Sequence, residues 1–336
     1  MAMRILYKIL IILIPLFSCE KSGQTDNRTP GNPDTDFNRK ILDNFFVTSI
    51  AFDSKGNAWI GTFKQGLIKY NARETKVFNS SNSVLRDNLV IWDIAIDSKD
   101  NVWMGCDGIM KYNGRNFTLY NSANTLIPED FVYSIAIDSK DNVWFTSCRF
   151  REGGFVKYDG TDWTVYTPEN SDLPVNSVKS IAIDNNDNIW LALAEIVNHT
   201  YLIKISGSNW KTYTNGDLGF TPYYFANIEF NSKNLLCGAI DYSLSSTMGH
   251  SGPQVFIFDG ATTAQLSFDN ITQVKSLTVD NEDNIWCANY GGYAVFNGEK
   301  WVVDDSTFKD ASVFTIEQAK DNKIWIGTGK GIYIND

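Results

Sequence analysis

From residue 47 to the C-terminus one pattern of apolar and polar positions recurs. A short apolar run leads into a polar turn, and a second apolar run centred on Trp follows. The Trp positions are 59, 103, 144, 190, 286 and 325, at intervals of 44, 41, 46, 96 and 39 residues. The long interval is double. Within it lies Asn231-Ser232-Lys233-Asn234-Leu235-Leu236-Cys237-Gly238, the same turn and run with one residue deleted and Leu236 in the Trp position. Seven units result, and a repeat of this length marks an array of small supersecondary units.

The first two runs of each unit, such as Ile94-Ala95-Ile96 and the Trp runs, are apolar at consecutive positions. That pattern predicts strands covered on both sheet faces. A third strand is predicted at Leu67 to Tyr70, Ile109 to Tyr112 and Phe155 to Tyr158. Asn113-Gly114, Asp159-Gly160, Asp259-Gly260 and Asn297-Gly298 then supply residue pairs that tolerate positive φ in a tight hairpin. Fourth strands follow at Phe117 to Tyr120, Trp163 to Tyr166, Trp210 to Tyr213 and Trp301 to Val303. Four antiparallel strands make a blade, and blades whose faces are all covered stack radially. The fold class expected is all-β: a single seven-bladed β-propeller over residues 35–336. The seventh unit stops at a third strand, Gly331 to Asn335, so residues 35–40 are expected to complete it. The sequence around Phe37 aligns for this purpose with Lys76 to Asn79 of the first unit.

The turns between first and second strands are rich in Asp and Asn, as in Asp53 to Asn57, Asp97 to Asn101 and Asp138 to Asn142. Calcium loops of the EF-hand type need alternating oxygens, a Gly and a bidentate Glu, which a five-residue hairpin does not supply. Side-chain caps on the turn backbone are the expected role, and no metal site is expected.

Residues 1–18 hold Arg4 and Lys8 around an apolar run, Ile5 to Phe17, that suits a secretory signal peptide. Leu16-Phe17-Ser18-Cys19 resembles a bacterial lipobox, which makes Cys19 the expected lipidated residue; a plain signal peptide and an uncleaved anchor are the alternatives. Residues 19–34 carry Ser, Gly, Gln, Thr, Asn, Asp and Pro with hardly an apolar side chain, and read as a flexible tether. Glu20 rather than Asp follows the Cys, which by resemblance to lipoproteins favours the outer membrane of the cell envelope. With 43% hydrophobic residues the remainder has enough apolar material for a large core. The net charge is −10, and removing the two cations of residues 1–18 takes it to −12. Phosphate backbones are repelled by such a chain, so no nucleic-acid partner is expected.

The unit Val47 to Asp53, Asn57-Ala58-Trp59-Ile60-Gly61-Thr62, Gly66 to Tyr70 resembles the two-component regulator propeller repeat. The likeness extends over nearly all of residues 35–336, most specifically in units one, two, three and seven. In that family, tandem propellers often form the extracytoplasmic sensor of hybrid histidine kinases. The resemblance implies this fold and a sensing or binding theme.

Alternating strand direction sends the loops between strands two and three, and those between blades, to one face. Units three to five carry unusual second-to-third loops, Cys148 to Gly153, Glu195 to Thr200 and Asp241 to Gln254. They would bring Arg149, Arg151, Glu152, Glu195, His199, Tyr223, Tyr224, Tyr242 and His250 to one side of the pore mouth. Aromatic rings beside hydrogen-bonding groups suit an oligosaccharide, and packing of these loops onto the blades is the plainer role. Two residues into the first strands stands a small polar ring: Ser49, Asp93, Ser134, Ser180, Asn227, Ser276 and Thr315. Its expected task is bonding the backbone of neighbouring blades. The preceding ring, Thr48, Trp92, Tyr133, Lys179, Ala226, Lys275 and Phe314, is irregular, which suits a ligand-facing rim with Trp92 and Tyr133 as candidates.

The sequence holds two His, His199 and His250, each alone in a loop, so no catalytic residue and no cofactor are expected. The function expected is a noncatalytic binding, sensing or scaffold protein, with an oligosaccharide or an envelope protein as partner. A propeller-type lyase or hydrolase acting on a carbohydrate or small molecule is the alternative, with Glu152 and Glu195 as carboxylates that could meet in space. Cys106 and Cys148 stand at one level of adjacent blades and could pair, but Cys106, Cys148, Cys237 and Cys287 are expected as free thiols.

Overall fold

The computed structural model describes residues 35–149, 152–195, 199–222, 224–241, 252–268, 274–289, 292–304, 307–308 and 311–335. Cys19 and the lipobox lie outside them. Seven four-stranded antiparallel sheets form a closed seven-bladed β-propeller. Their first strands line the axis and touch one another in turn, from Val47–Phe52 through Asp93–Ile96 and onward to Val313–Gln318, which meets Val47–Phe52 again. Each junction between blades holds one apolar cluster. Between blades 1 and 2, for example, Trp59, Leu67 and Phe78 pack on Ile91, Met104 and Tyr112. Covering both faces in this way is why the inner strands are apolar without alternation.

The ring closes as expected, with a shift. Arg39–Ile41 pairs antiparallel with Gly331–Ile334 through Arg39↔Ile334, Lys40↔Tyr333 and Ile41↔Ile332. Ile41, not Phe37, therefore occupies the place that Phe78 holds opposite Leu67 in blade 1. Phe37 instead fills an aromatic pocket at the junction of blades 6 and 7, 5.1 Å from Tyr293 and 5.8 Å from Phe308. A ring of that size gains more by burial among three aromatics than at the edge of the last sheet.

The polar turns resolve into two devices. At the first turn position Asp53, Asp97, Asp138, Asp184 and Asp280 accept backbone N–H groups of their own turn. The same carboxylates accept the indole N–H of Trp59, Trp103, Trp144, Trp190 and Trp286 at 2.8–3.2 Å. Blade 5, with Leu236 in place of Trp, has the neutral Asn231 at the cap. The second device joins blades. Ser54 donates its N–H and hydroxyl to Asp100 of the next turn at 2.8 and 2.7 Å, and Ser98 does the same to Asp141, Ser139 to Asp187 and Ser232 to Asp283. The accepting residue sits at positive φ, 60° at Asp100, which turns its side chain back toward the preceding blade. Among the described residues no such bond joins blade 7 to blade 1, where Lys320 and Gly56 occupy the two positions.

Candidate functional site

The innermost strands begin irregularly, and this irregularity builds the channel mouth. In blades 1, 4, 5, 6 and 7 the ladder skips one residue: Thr48, Lys179, Ala226, Lys275 and Phe314. A β-bulge leaves its extra residue unpaired and re-aims the side chain. The equivalent residues of blades 2 and 3 are Trp92 and Tyr133, and all seven line one cavity of about 220 Å³ at the axis. The irregular ring anticipated from the sequence is therefore a rim.

The rim is chemically divided. Trp92, Phe131 and Tyr133 form one aromatic wall, with ring centroids 4.3–5.7 Å apart. Phe46, Phe63 and Phe314 form a second across the junction of blades 7 and 1, at 4.5 and 5.1 Å. Tyr133 is 38% exposed and Phe63 37%, so part of each wall is open to a ligand. Blades 4 and 6 bring cations. Lys179 Nζ lies 5.4 Å from the ring centre of Tyr133 and 5.3 Å from that of Tyr224, and Lys275 pairs with Asp241 at 2.6 Å.

Below the rim four of the seven small polar residues perform the expected task. Asp93 accepts the N–H of Ile135 at 2.8 Å, Ser134 that of Ile181 at 3.2 Å, and Ser180 that of Ile228 at 3.1 Å. Asn227 exchanges two bonds with Leu277. Each stitch satisfies a backbone donor in the innermost strand of the next blade. Three of the inward groups are acids. Burial lifts the Asp93 carboxyl to about 7 despite the N–H groups of Ile135 and Ile94 and the Ser49 hydroxyl. Burial also raises Glu229, opposed by the Val279 N–H and Thr278, and raises Glu317 strongly, with repulsion from Glu229 and Asp93 adding to it. These side chains keep some exposed surface because they face the channel, but seven blades surround that channel and hold bulk water away.

The loops of blades 3 and 4 differ from expectation. Cys148 to Gly153 and Glu195 to Thr200 are mostly paired strand, with Cys148↔Gly153, Arg149↔Glu152, Ala194↔Thr200 and Glu195↔His199 in register. The extra residues lengthen a hairpin instead of opening a loop, since pairing satisfies backbone groups that a loop would leave to water. Glu152 is exposed at the end of its strand. Arg149, Glu195 and His199 are placed in strands by their backbone, and their side chains lie outside the described residues, as do Arg151, Tyr223, Tyr242 and His250. Of the predicted site residues the structure thus brings Trp92, Tyr133 and Tyr224 together, through Lys179. Phe46 and Phe131 escaped the sequence reading because they precede the first strands, and Phe63 because it lies in the loop between strands two and three of blade 1, all outside the repeated strands. Glu229 and Glu317 were legible as a break in register: two residues after the polar ring the other units carry Ala51, Ala95, Ala136, Ala182 and Thr278.

Cys106, Cys148, Cys237 and Cys287 are free and buried, and burial pushes the Cys106 and Cys237 thiols up to about 12. No helix of the described residues is long and apolar enough to cross a membrane.

Fold and rim define the class: a closed β-propeller with a lined axial mouth. The family Two component regulator propeller matches residues 40–64, and the chain carries that repeat. A comparison with curated protein sequences finds no match. Among solved structures the chain is similar to the extracellular domain of the hybrid two component system BT3049 from B. thetaiotaomicron, at 20% identity and a TM-score of 0.67. That match covers 88% of this chain and 39% of the other, so the chain spans about two fifths of that relative. A streptogramin B lyase is similar at 16% identity and TM-score 0.66, covering 89% and 95% of the two chains. PorZ, a surface component of the type-IX secretion system of Porphyromonas gingivalis, is similar at 14% and 0.60, covering 86% and 46%. A sensor domain, a lyase and a secretion component share the architecture, so the likeness carries the fold and leaves the function to the site.

Proposed function

We propose that this chain is a noncatalytic, extracytoplasmic binding or sensing protein whose ligand, an oligosaccharide, sits on the channel rim. One observation carries the reading: Trp92 and Tyr133, with Lys179, Lys275 and Phe314 at bulged positions, line a single polar-floored mouth. Trp and Tyr faces stack on the apolar faces of sugar rings, while Lys179 and the Ser and Asn ring beneath offer hydrogen bonds to hydroxyls. The similarity to extracellular domains supports a place outside the cytoplasm, and anchoring at Cys19 in the cell envelope completes the proposal.

The test is an oligosaccharide array followed by calorimetry on the best hit. Trp92→Ala and Tyr133→Ala are expected to weaken it about tenfold or more each, as loss of an aromatic anchor does. In the producing cells the binding activity is expected in the membrane fraction and, with Cys19→Ala, outside it. Glycan binding indifferent to both aromatic substitutions, or envelope proteins that co-purify in the absence of any glycan hit, would overturn the rim reading.

A further inference from the structure

A second cavity, of about 450 Å³, opens on the same loop face over blades 1 and 2, outward from the rim. Its floor is apolar: Leu89, Cys106 and Met110 are buried there, and Phe131 stands between it and the channel. Its lip is also apolar, with Val84 69% and Leu119 36% exposed. Charge enters on the walls as Asp107, Glu129, Asp130 and one cation, Arg86. Arg86 is paired with Asp107. Asp130 accepts the N–H and hydroxyl of Ser122. The Glu129 side chain has no hydrogen bond or ion pair to another described residue, so the groove keeps an uncompensated negative charge above an apolar floor.

Folding does not require the apolar lip. The loop that carries Val84 is held by its own polar frame: Asn82 donates to the Val77 carbonyl and Ser83 to that of Asn79. The next loop repeats the frame with Asn124 to Leu119 and Thr125 to Asn121, and places Leu126, 71% exposed, at the same position. The third repeats it again with Asn170 to Val165 and Ser171 to Thr167, and there the position is Asp172. One frame thus accepts Val, Leu or Asp, which leaves the aliphatic side chain over the groove without a structural task. The frame also holds the groove open before any ligand arrives, which lowers the cost of binding.

A sugar fits this groove poorly, because Leu89, Cys106 and Met110 would leave its hydroxyls without partners. An anion meets three carboxylates. An aliphatic stem ending in a cation satisfies both surfaces. We propose that the groove docks an extended segment of a protein partner through a lysine or arginine side chain. The stem lies on Leu89, Met110 and Val84, and the cation meets Glu129 and Asp130.

The proposal is independent of the rim reading and is tested on the full chain by fluorescence anisotropy with a labelled five-residue peptide, capped at both ends, that carries lysine between two leucines. Two companions carry norleucine or glutamate at the centre. The lysine peptide is expected to bind about tenfold more tightly than the norleucine peptide, the scale of one charge-assisted contact, and to weaken as salt rises. Glu129→Gln, whose fold is checked by circular dichroism, is expected to remove most of that preference, and Val84→Ser to weaken both peptides. Equal binding of all three peptides, no binding at millimolar concentration, a preference untouched by Glu129→Gln, or cadaverine binding as tightly as the peptide would each overturn it.

Discussion

At the scale of single residues the repeat is governed by a carboxylate that satisfies an indole. Five blades keep Asp at the cap and Trp six residues later, and blade 5 relaxes both together to Asn231 and Leu236. Blade 7 breaks the rule. Ala319 stands at the cap, and the buried Trp325 Nε1 has no hydrogen-bond partner. A buried donor left unmade costs about 1–3 kcal/mol. Ala319→Asp is therefore expected to stabilise the protein by about 1 kcal/mol, net of burying the new carboxylate. Thermal melts check this, with Trp325→Phe as the control background in which only the part of the gain due to capping of the turn should remain.

At the scale of elements the short strand Arg39–Ile41 does more than its three residues suggest. Ile41 and Leu42 pack on the cluster between blades 7 and 1, Phe37 packs on the one between blades 6 and 7, and the Tyr293 hydroxyl donates to the Thr35 carbonyl. A chain beginning at Asn44 would bare Ile332 and Ile334, which are fully buried. Its stability is expected to fall by several kcal/mol through exposed apolar area, read as the midpoint of denaturant unfolding. An unchanged midpoint would mean that the seam is held by blades 7 and 1 alone.

At the scale of the whole molecule the ring gathers acids that no single blade would hold together. Asp93, Glu229 and Glu317 come from blades 2, 5 and 7. Their carboxyls are raised in the folded protein, so between about pH 4 and about pH 7 the fold binds protons that the unfolded chain has released, and stability falls as pH rises. The turn acids act oppositely. Burial would raise Asp53, but bonds from Asn57, Trp59 and the turn backbone prevail and hold it low, while the Ser54 clasp brings Asp100 down to about 2. Their contribution is present above about pH 4 and is lost below it. Maximal stability is expected near pH 5, with a melting temperature that declines toward pH 8. Glu317→Gln should raise the melting temperature at pH 8 and flatten that decline, and an identical profile in the variant would exclude the channel acids as its cause.

Blade number, strand order, turn chemistry and ring closure were legible because each rests on a local period that seven copies restate, and an error in one copy is corrected by the others. The fate of the small polar ring was legible for the same reason. The four-residue shift of the closing strand was not, because Phe37 and Ile41 both suit an outer strand and only the blade 6 pocket chooses between them. The conversion of two expected loops into taller hairpins likewise depended on pairing across a turn. The site lay furthest from view. A rim is assembled by one residue near the start of each innermost strand, five of them at bulges, and by neighbouring loops, so its members are about 40 residues apart in the chain and adjacent only around the axis. Sequence alone determined the wedge and how many times it is used. Closure of the ring decided which side chains face one another across the mouth, since proximity there is a property of the circle and of no segment within it.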